Sequence, residues 1–316
     1  MALTINTNLS SMIVQSNLAK STTQLNSAIE RMTTGYKINH AADNAAGYSI
    51  ARNWEAKLGS LDVAADNAAT GADMLSTLED NLALVSSHVQ RVRDLTEQAA
   101  NGTYGAQSKS AIESEIKARL EEIDRIAANC EFNGIDLMAG GSEMSLQVGI
   151  EGTASKSQIK LSADLFASGK VGDLFKISGE TSGNYTPRTT GIPSADSSKP
   201  EKQEEWKLAN LAKDCAGTSS GDGTSTPTQM LGVIDNVINN ISKRITTLGA
   251  AQNRIESAIE SIGVQSENIT SSLSTLRDAD VATESSNYIK AQILQQASAT
   301  LLATANQTPS IALNLL

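Results

Sequence analysis

The chain has 316 residues, an aromatic content of only 3%, a net charge of −10 and a pI near 4.8. Its acidity argues against nucleic acid or an anionic membrane as partner, and so few aromatic residues argue against a compact enzyme core. No apolar run approaches the roughly 18 residues of a membrane span, and two cysteines, Cys130 and Cys215, make no disulfide framework.

Taken in chain order, helical periodicity appears first at Ile5, Leu9, Met12, Ile13, Leu18, Leu25, Ile29 and Met32. This stripe is thin and polar-flanked. Met1–Lys20 lacks a basic n-region and has Asn6, Asn8 and Gln15 inside it, so it is not expected to be a Sec signal peptide. Gly35 supplies the backbone freedom of a C-cap, and Asp43 is the expected N-cap of the next helix. That helix carries Ile50, Trp54, Leu58, Leu61 and an apolar series continuing through Leu75, Leu82, Val89 and Leu95, and should stop near Asn101-Gly102. A shorter helix follows with Ile112, Ile116, Leu120, Ile123 and Ile126, ending before Asn133-Gly134.

The period then changes from helical to alternating. Met144, Leu146 and Val148 face one way while Ser145, Gln147 and Gly149 face the other, and Ile159 and Leu161 flank Lys160. Two strands joined by a turn over Gly152–Lys156 are predicted. From Ser178 to Thr228 the chain is rich in Gly, Ser, Thr, Pro and Lys, as in a loop or small lobe, with room for one short helix within Glu201–Cys215.

The clearest periodicity comes next. One heptad position reads Ile234, Ile241, Leu248, Ile255, Ile262, Ile269 and Leu276, and the other Ile238, Ile245, Gln252, Ile259, Ser266 and Leu273. Strict 3-4 spacing without proline predicts one long coiled-coil helix, which cannot stand without partner helices. Arg277-Asp278-Ala279-Asp280 interrupts the stripe, and a last amphipathic helix follows with Ile289, Ile293, Leu294, Ala297, Leu301 and Leu302. The layout is nearly a palindrome: short terminal helix, break and long rod at each end. It predicts a mainly α fold, a long antiparallel coiled-coil rod built from both chain ends, with a β-hairpin and a small variable outer lobe.

No catalytic or metal-binding constellation is present. His40 and His88 have no Cys or His at ligand spacing, and no H-E-x-x-H, G-x-S-x-G or P-loop occurs. Glu121, Glu122 and Asp124 lie within a turn of Arg119 and Arg125, as on a solvated helix face. Asn101-Gly102-Thr103 and Asn184-Tyr185-Thr186 fit the glycan-acceptor pattern, a short one that carries little weight alone. The thiols are expected to be one buried (Cys130) and one in a loop (Cys215).

Several of these residues carry a resemblance. Ile5-Asn6-Thr7-Asn8, Ala28-Ile29-Glu30-Arg31, Gly35-Tyr36-Lys37-Ile38-Asn39 and Ala42-Asp43-Asn44-Ala45-Ala46-Gly47 stand at the spacing of the bacterial flagellins, with Asn44 in place of the more usual Asp. Gln90-Arg91-Val92-Arg93-Asp94-Leu95, Phe132-Asn133-Gly134, Asp278-Ala279-Asp280, Ala282-Thr283-Glu284, Ala291-Gln292-Ile293-Leu294-Gln295-Gln296, Ala305-Asn306-Gln307 and Leu315-Leu316 continue the series. The chain resembles a flagellin over residues 2–165 and 230–316.

The resemblance implies an inner terminal-helix domain (1–42 and 277–316), a helical rod domain with a hairpin near 143–162 (43–177 and 229–276), and an outer lobe (178–228). It implies a structural subunit of the extracellular filament, exported by the flagellar type III apparatus, with no enzymatic activity, cofactor or metal. Polymerisation would run through Ile5, Leu9, Leu25, Ile29, Ile289, Ile293, Leu294, Leu301 and Leu302. The implied partners are further copies of the chain, an export chaperone on the C-terminal helix, the filament cap and hook-junction proteins, and a Toll-like flagellin receptor. Receptor contact falls on Gln90, Arg91, Arg93, Asp94, Leu95 and Glu115, with Asp94 where the family usually has Glu. A hook–filament junction subunit, a secreted coiled-coil effector and an enzyme carried in the lobe are the competing readings.

Overall fold

The computed structural model describes residues 8–175, 210–218 and 226–313, the side chains of 154–155 and 308–313 excepted. Ile5, Asn184, most of the expected lobe and Leu315-Leu316 lie outside the described residues. The chain forms two compact units: Met1–Ser60 with Val264–Leu316, and Leu61–Gly263. Two long helices, α2 (Ala45–Ala100) and α7 (Pro227–Arg277), contribute to both.

In the first unit, α1 (Leu9–Thr34) packs antiparallel on α8 (Val281–Leu313), as the palindromic layout predicts. Asn8 caps α1 by accepting the Ser11 N–H at 3.1 Å and donates Nδ2 to the Ala305 carbonyl at 2.7 Å. Gln295 meets Thr22 at 3.3 Å, and Arg31 meets Glu284 at 3.5 Å. Gly35 ends α1 at φ 75°, donating its N–H to the Arg31 carbonyl.

The two helix breaks lie side by side within this unit. Tyr36 bridges Asp278, Lys37 N–H donates to the Arg277 carbonyl at 2.7 Å, and Ala279 N–H donates to the Gly35 carbonyl at 2.8 Å. Arg277 stacks on the Tyr36 ring, 4.0 Å from its centroid, and pairs with Glu55. The α2 cap differs from expectation. Asn44 Oδ1 accepts the Gly47 N–H at 2.9 Å, the bond of an N-cap, while Asp43 accepts the Asn39 and His40 N–H groups one step earlier. Asp43 is therefore a loop organiser, and those bonds hold its carboxyl below the usual range, the His40 amide contributing most.

In the second unit α2 buries two heptad series, Leu61, Ala68, Leu75, Leu82, Val89 and Thr96, and Ala64, Gly71, Leu78, Val85, Val92 and Ala99. Against them pack α3 (Ala106–Asn129), through Ile116, Leu120 and Ile123, and α7, through Ile234, Ile241, Leu248 and Ile255. On α7 one predicted heptad position is buried from Ile234 to Ile262 and half-buried at Ile269 and Leu276; of the other, Ile238, Ile245 and Ile259 lie at the edge, and Val233, Val237 and Ala251 are buried in addition. The core lies off the symmetric seam because α7 serves a bundle rather than a two-helix coil. Gln252, the polar exception in the stripe, donates to Glu79 at 2.8 Å, and Arg93 meets Asp235 at 2.7 Å, which sets α7 antiparallel to α2 here.

The predicted hairpin is present. β3 (Met144–Gln147) and β4 (Gln158–Leu161) pair antiparallel with Leu146 opposite Ile159. Leu146 fits against Gly71 so closely that a Cβ there would lie 2.6 Å from its Cδ1. The expected turn over Gly152–Lys156 runs into a helical turn, α4 (Ala154–Ser157). A second, unpredicted hairpin joins β1 (Glu131–Phe132) to β2 (Ile135–Asp136) through Asn133 and Gly134, both at positive φ. Asn-Gly between short apolar-containing runs is a strong hairpin signal.

Two further expectations are corrected. Asp124 is not merely solvated: its carboxylate accepts the Val171 N–H at 2.7 Å at the start of α5 (Val171–Leu174). Cys215 is no loop thiol, because it sits on the short helix α6 (210–216) with Leu211, Ala212 and Ala216, all buried in the core. The short helix expected within Glu201–Cys215 is present over its described part, and it carries Cys215 into the core beside Leu211.

Candidate assembly and recognition surfaces

The α1–α8 pair buries small or polar side chains: Ser21 and Ala28 on one helix, Glu284, Ala291 and Ser298 on the other. They recur at seven-residue spacing, the spacing of a helix seam. Small residues in the seam turn the large apolar ones outward. Leu9 is 64% exposed, Ile293 59%, Leu301 56% and Ile289 51%. Ile29 and Leu294 are exposed as well, with Met12 and Ile13 beside them, while Leu25 and Leu302 are half-buried.

Bringing one such Leu or Ile from half exposed to buried is worth about 1 kcal/mol. Of the eight predicted assembly residues that are described, six are exposed on the pair, and only Leu25 and Leu302 are half-buried. Sequence reasoning missed Ser21, Ala28, Ala291 and Ser298, whose only signal was their seven-residue spacing.

The second candidate surface lies on α2 and α3 in the other unit. Gln90, Arg91 and Asp94 are exposed. Arg91 grips Glu115 Oε1 with Nε at 3.1 Å and Nη2 at 2.9 Å, and Arg119 stands 3.9 Å from the same oxygen. Arg93 is engaged by Asp235 and, at 3.3 Å, by Glu97. The Asp235 bond is the main reason the Arg93 guanidinium holds its proton more tightly than usual. These pairs stand in solvent, where screening leaves an ion pair weak.

Leu95 does not belong to this surface. It is 2% exposed and packs in the bundle core, so no partner can reach it while α2 is folded.

Among the described residues no group of three His, Cys, Asp or Glu side chains is placed to hold a metal ion. His40 Nε2 lies 2.8 Å from Glu30 on the exposed side of the break. Burial pushes the Cys130 thiol up and the Cys215 thiol up to about 12, so neither supplies a thiolate near neutral pH. Among the described residues no helix is long and apolar enough to cross a membrane.

The model of the bacterial flagellin N-terminal helical region matches residues 5–143, and that of the bacterial flagellin C-terminal helical region matches residues 231–316. The chain is 30% identical over 376 residues to polar flagellin F of Vibrio parahaemolyticus and 31% identical over 378 residues to flagellin A of Vibrio anguillarum, each alignment covering 100% of both chains. It is 28% identical over 312 residues to the flagellar filament 33 kDa core protein of Treponema phagedenis, covering 99% of each. A solved structure from Vibrio parahaemolyticus, described as a flagellar hook-associated protein, shares the fold with a TM-score of 0.55 at 15% identity, covering 75% of this chain and 100% of that one.

Proposed function

The chain belongs to the bacterial flagellin family and is a structural subunit of the flagellar filament, not an enzyme; on that premise we propose that it polymerises through the outward apolar faces of α1 and α8. The observation that carries this reading is the inversion of the terminal pair, with small residues inside and Leu9, Ile29, Ile289, Ile293, Leu294 and Leu301 outside. Filament growth would bury those side chains against α1 and α8 of neighbouring copies, and Ile5 would join them from the chain start.

Its place would be the extracellular filament, reached by the flagellar export apparatus. An export chaperone would cover the apolar face of α8 before secretion, and the filament cap and hook-junction proteins would meet the same terminal helices at the two filament ends.

Electron microscopy of the purified chain incubated with short filament seeds tests the central reading. Long regular filaments are expected. Soluble chain under every seeding and precipitating condition would move it to a junction or capping role.

A finer role concerns the α2–α3 surface. Exposed Gln90, Arg91 and Asp94, with Glu115 across the helix pair, offer a Toll-like flagellin receptor a charged patch whose internal bonds are cheap to exchange. Arg93 takes part at its rim, and Leu95 supports the patch from beneath. Arg91→Ala is expected to weaken receptor binding at least roughly tenfold, the scale of one charge-assisted contact. Unchanged binding would remove Arg91 from the contact.

A further inference from the structure

The two Asn-Gly steps of the chain, Asn101-Gly102 and Asn133-Gly134, both lie on exposed turns, yet their backbones are held very differently. We propose that Asn101 is a spontaneous deamidation site of the folded chain and that Asn133 is protected by its hairpin.

The reaction needs the glycine nitrogen and the asparagine Cγ to meet. The Gly102 nitrogen loses its proton to water or hydroxide and attacks Asn101 Cγ; the bond from Cγ to the side-chain nitrogen breaks and ammonia leaves. Water then opens the resulting five-membered imide at either carbonyl, giving aspartate or isoaspartate. One water is taken up and one ammonia released, with no change of oxidation state. Glycine favours the attack because no Cβ shields its nitrogen and its backbone turns freely.

At Asn101 the surroundings assist. α2 has just ended, and the turn is held by bonds at the long end of the range: Asn101 N–H to the Gln98 carbonyl at 3.2 Å and Tyr104 N–H to the Asn101 carbonyl at 3.4 Å. Thr103 N–H donates to Asn101 Oδ1 at 3.2 Å, drawing electron density from Cγ and making it the better electrophile. Gly102 and Thr103 are both exposed, so water reaches the site.

At Asn133 the same step is opposed. Asn133 at φ 50° and Gly134 at φ 79° occupy a two-residue turn, clamped by the pairs Phe132–Ile135 and Glu131–Asp136. Leu137 N–H closes the loop onto the Cys130 carbonyl at 2.9 Å, with Cys130 and Leu137 buried. An imide ring cannot form while the chain keeps this turn, so closure waits on opening of the hairpin. A carboxylate at residue 101 would also lie at the negative end of the α2 dipole, loosening its last turn.

The test uses the full chain, held in mildly alkaline buffer at body temperature, digested with trypsin and analysed for mass and for isoaspartate. Peptide 94–109 is expected to gain about one dalton and split into two isomers, roughly tenfold or more faster than peptide 126–156, because the latter must open a paired hairpin and the former only a loosely bonded turn. In urea, with both turns released, the two rates should agree within about threefold. Gly102→Ala should slow conversion at Asn101 in both states. Equal or faster conversion of 126–156 in the folded chain overturns the proposal, as does a folded chain whose 94–109 peptide resists while the unfolded one converts.

Discussion

The α1–α8 pair and the α2–α3–α7 bundle both rest on seven-residue spacing, but they bury opposite kinds of residue. In the bundle Leu75, Leu78, Leu82, Leu120 and Leu248 have no exposed surface. In the terminal pair the buried positions include Ser21, Ala28, Ala291 and Ser298, while Leu9, Ile29, Ile289, Ile293, Leu294 and Leu301 are exposed. Periodicity says that a helix has two faces, and residue size says which one the chain itself covers. The bundle closes its core within one subunit; the terminal pair leaves Leu9, Ile29, Ile289, Ile293, Leu294 and Leu301 exposed.

The largest effects should separate the two regions outright. Leu120→Ala removes a fully buried side chain and should cost about 2–5 kcal/mol in urea unfolding, whereas Ile293→Ala should change subunit stability by less than about 0.5 kcal/mol. Comparable losses at both positions would mean that Ile293 already has a partner inside the subunit. Next comes Gly71→Ala, where the added Cβ meets Leu146 Cδ1. Displacing the hairpin from α2 should cost about 1–3 kcal/mol, seen as a lower unfolding midpoint and faster hydrogen exchange at Leu146 and Ile159.

Within the first unit the expected changes are smaller. Asn44→Ala deletes the α2 cap and should cost about 1 kcal/mol, while Asp43→Asn leaves α2 capped and should cost less at neutral pH; the reverse order would return the capping role to Asp43. The smallest effect is the pH response of that carboxylate. Its folded pKa is depressed, chiefly by the His40 amide and further by Asn39 and Arg31. Its contribution is therefore present above the ordinary aspartate pKa and fades as pH falls through the lowered one. An acid titration of stability should be shallower in Asp43→Asn than in the unmodified chain.

Much of this architecture was legible in the sequence. Period and length marked the five long helices, Gly35 marked the end of α1, and alternation at Met144–Val148 marked β3. Where reading failed, a competing short-range bond or a size effect had decided the outcome. Asn44 outcompeted Asp43 for the α2 cap because its side chain stands three residues before the Gly47 amide. Leu95 carries an exposed-looking motif, yet three residues earlier Val92 marks the same buried stripe. The Asn133-Gly134 hairpin was signalled and overlooked because its strands are two residues long. Cys215 and the α1–α8 seam were hidden for one reason: small residues bury well without any visible apolar stripe.

The measurement that bears most directly on the inverted terminal pair is the paired behaviour of Ile293→Asp in two assays, urea unfolding of the soluble subunit and seeded filament growth. Because Ile293 is exposed in the subunit and would be buried on assembly, unfolding should match the unmodified chain while filament growth is lost, since a buried unpaired carboxylate costs several kcal/mol. Normal filaments from the variant, or a subunit that no longer folds, would contradict it.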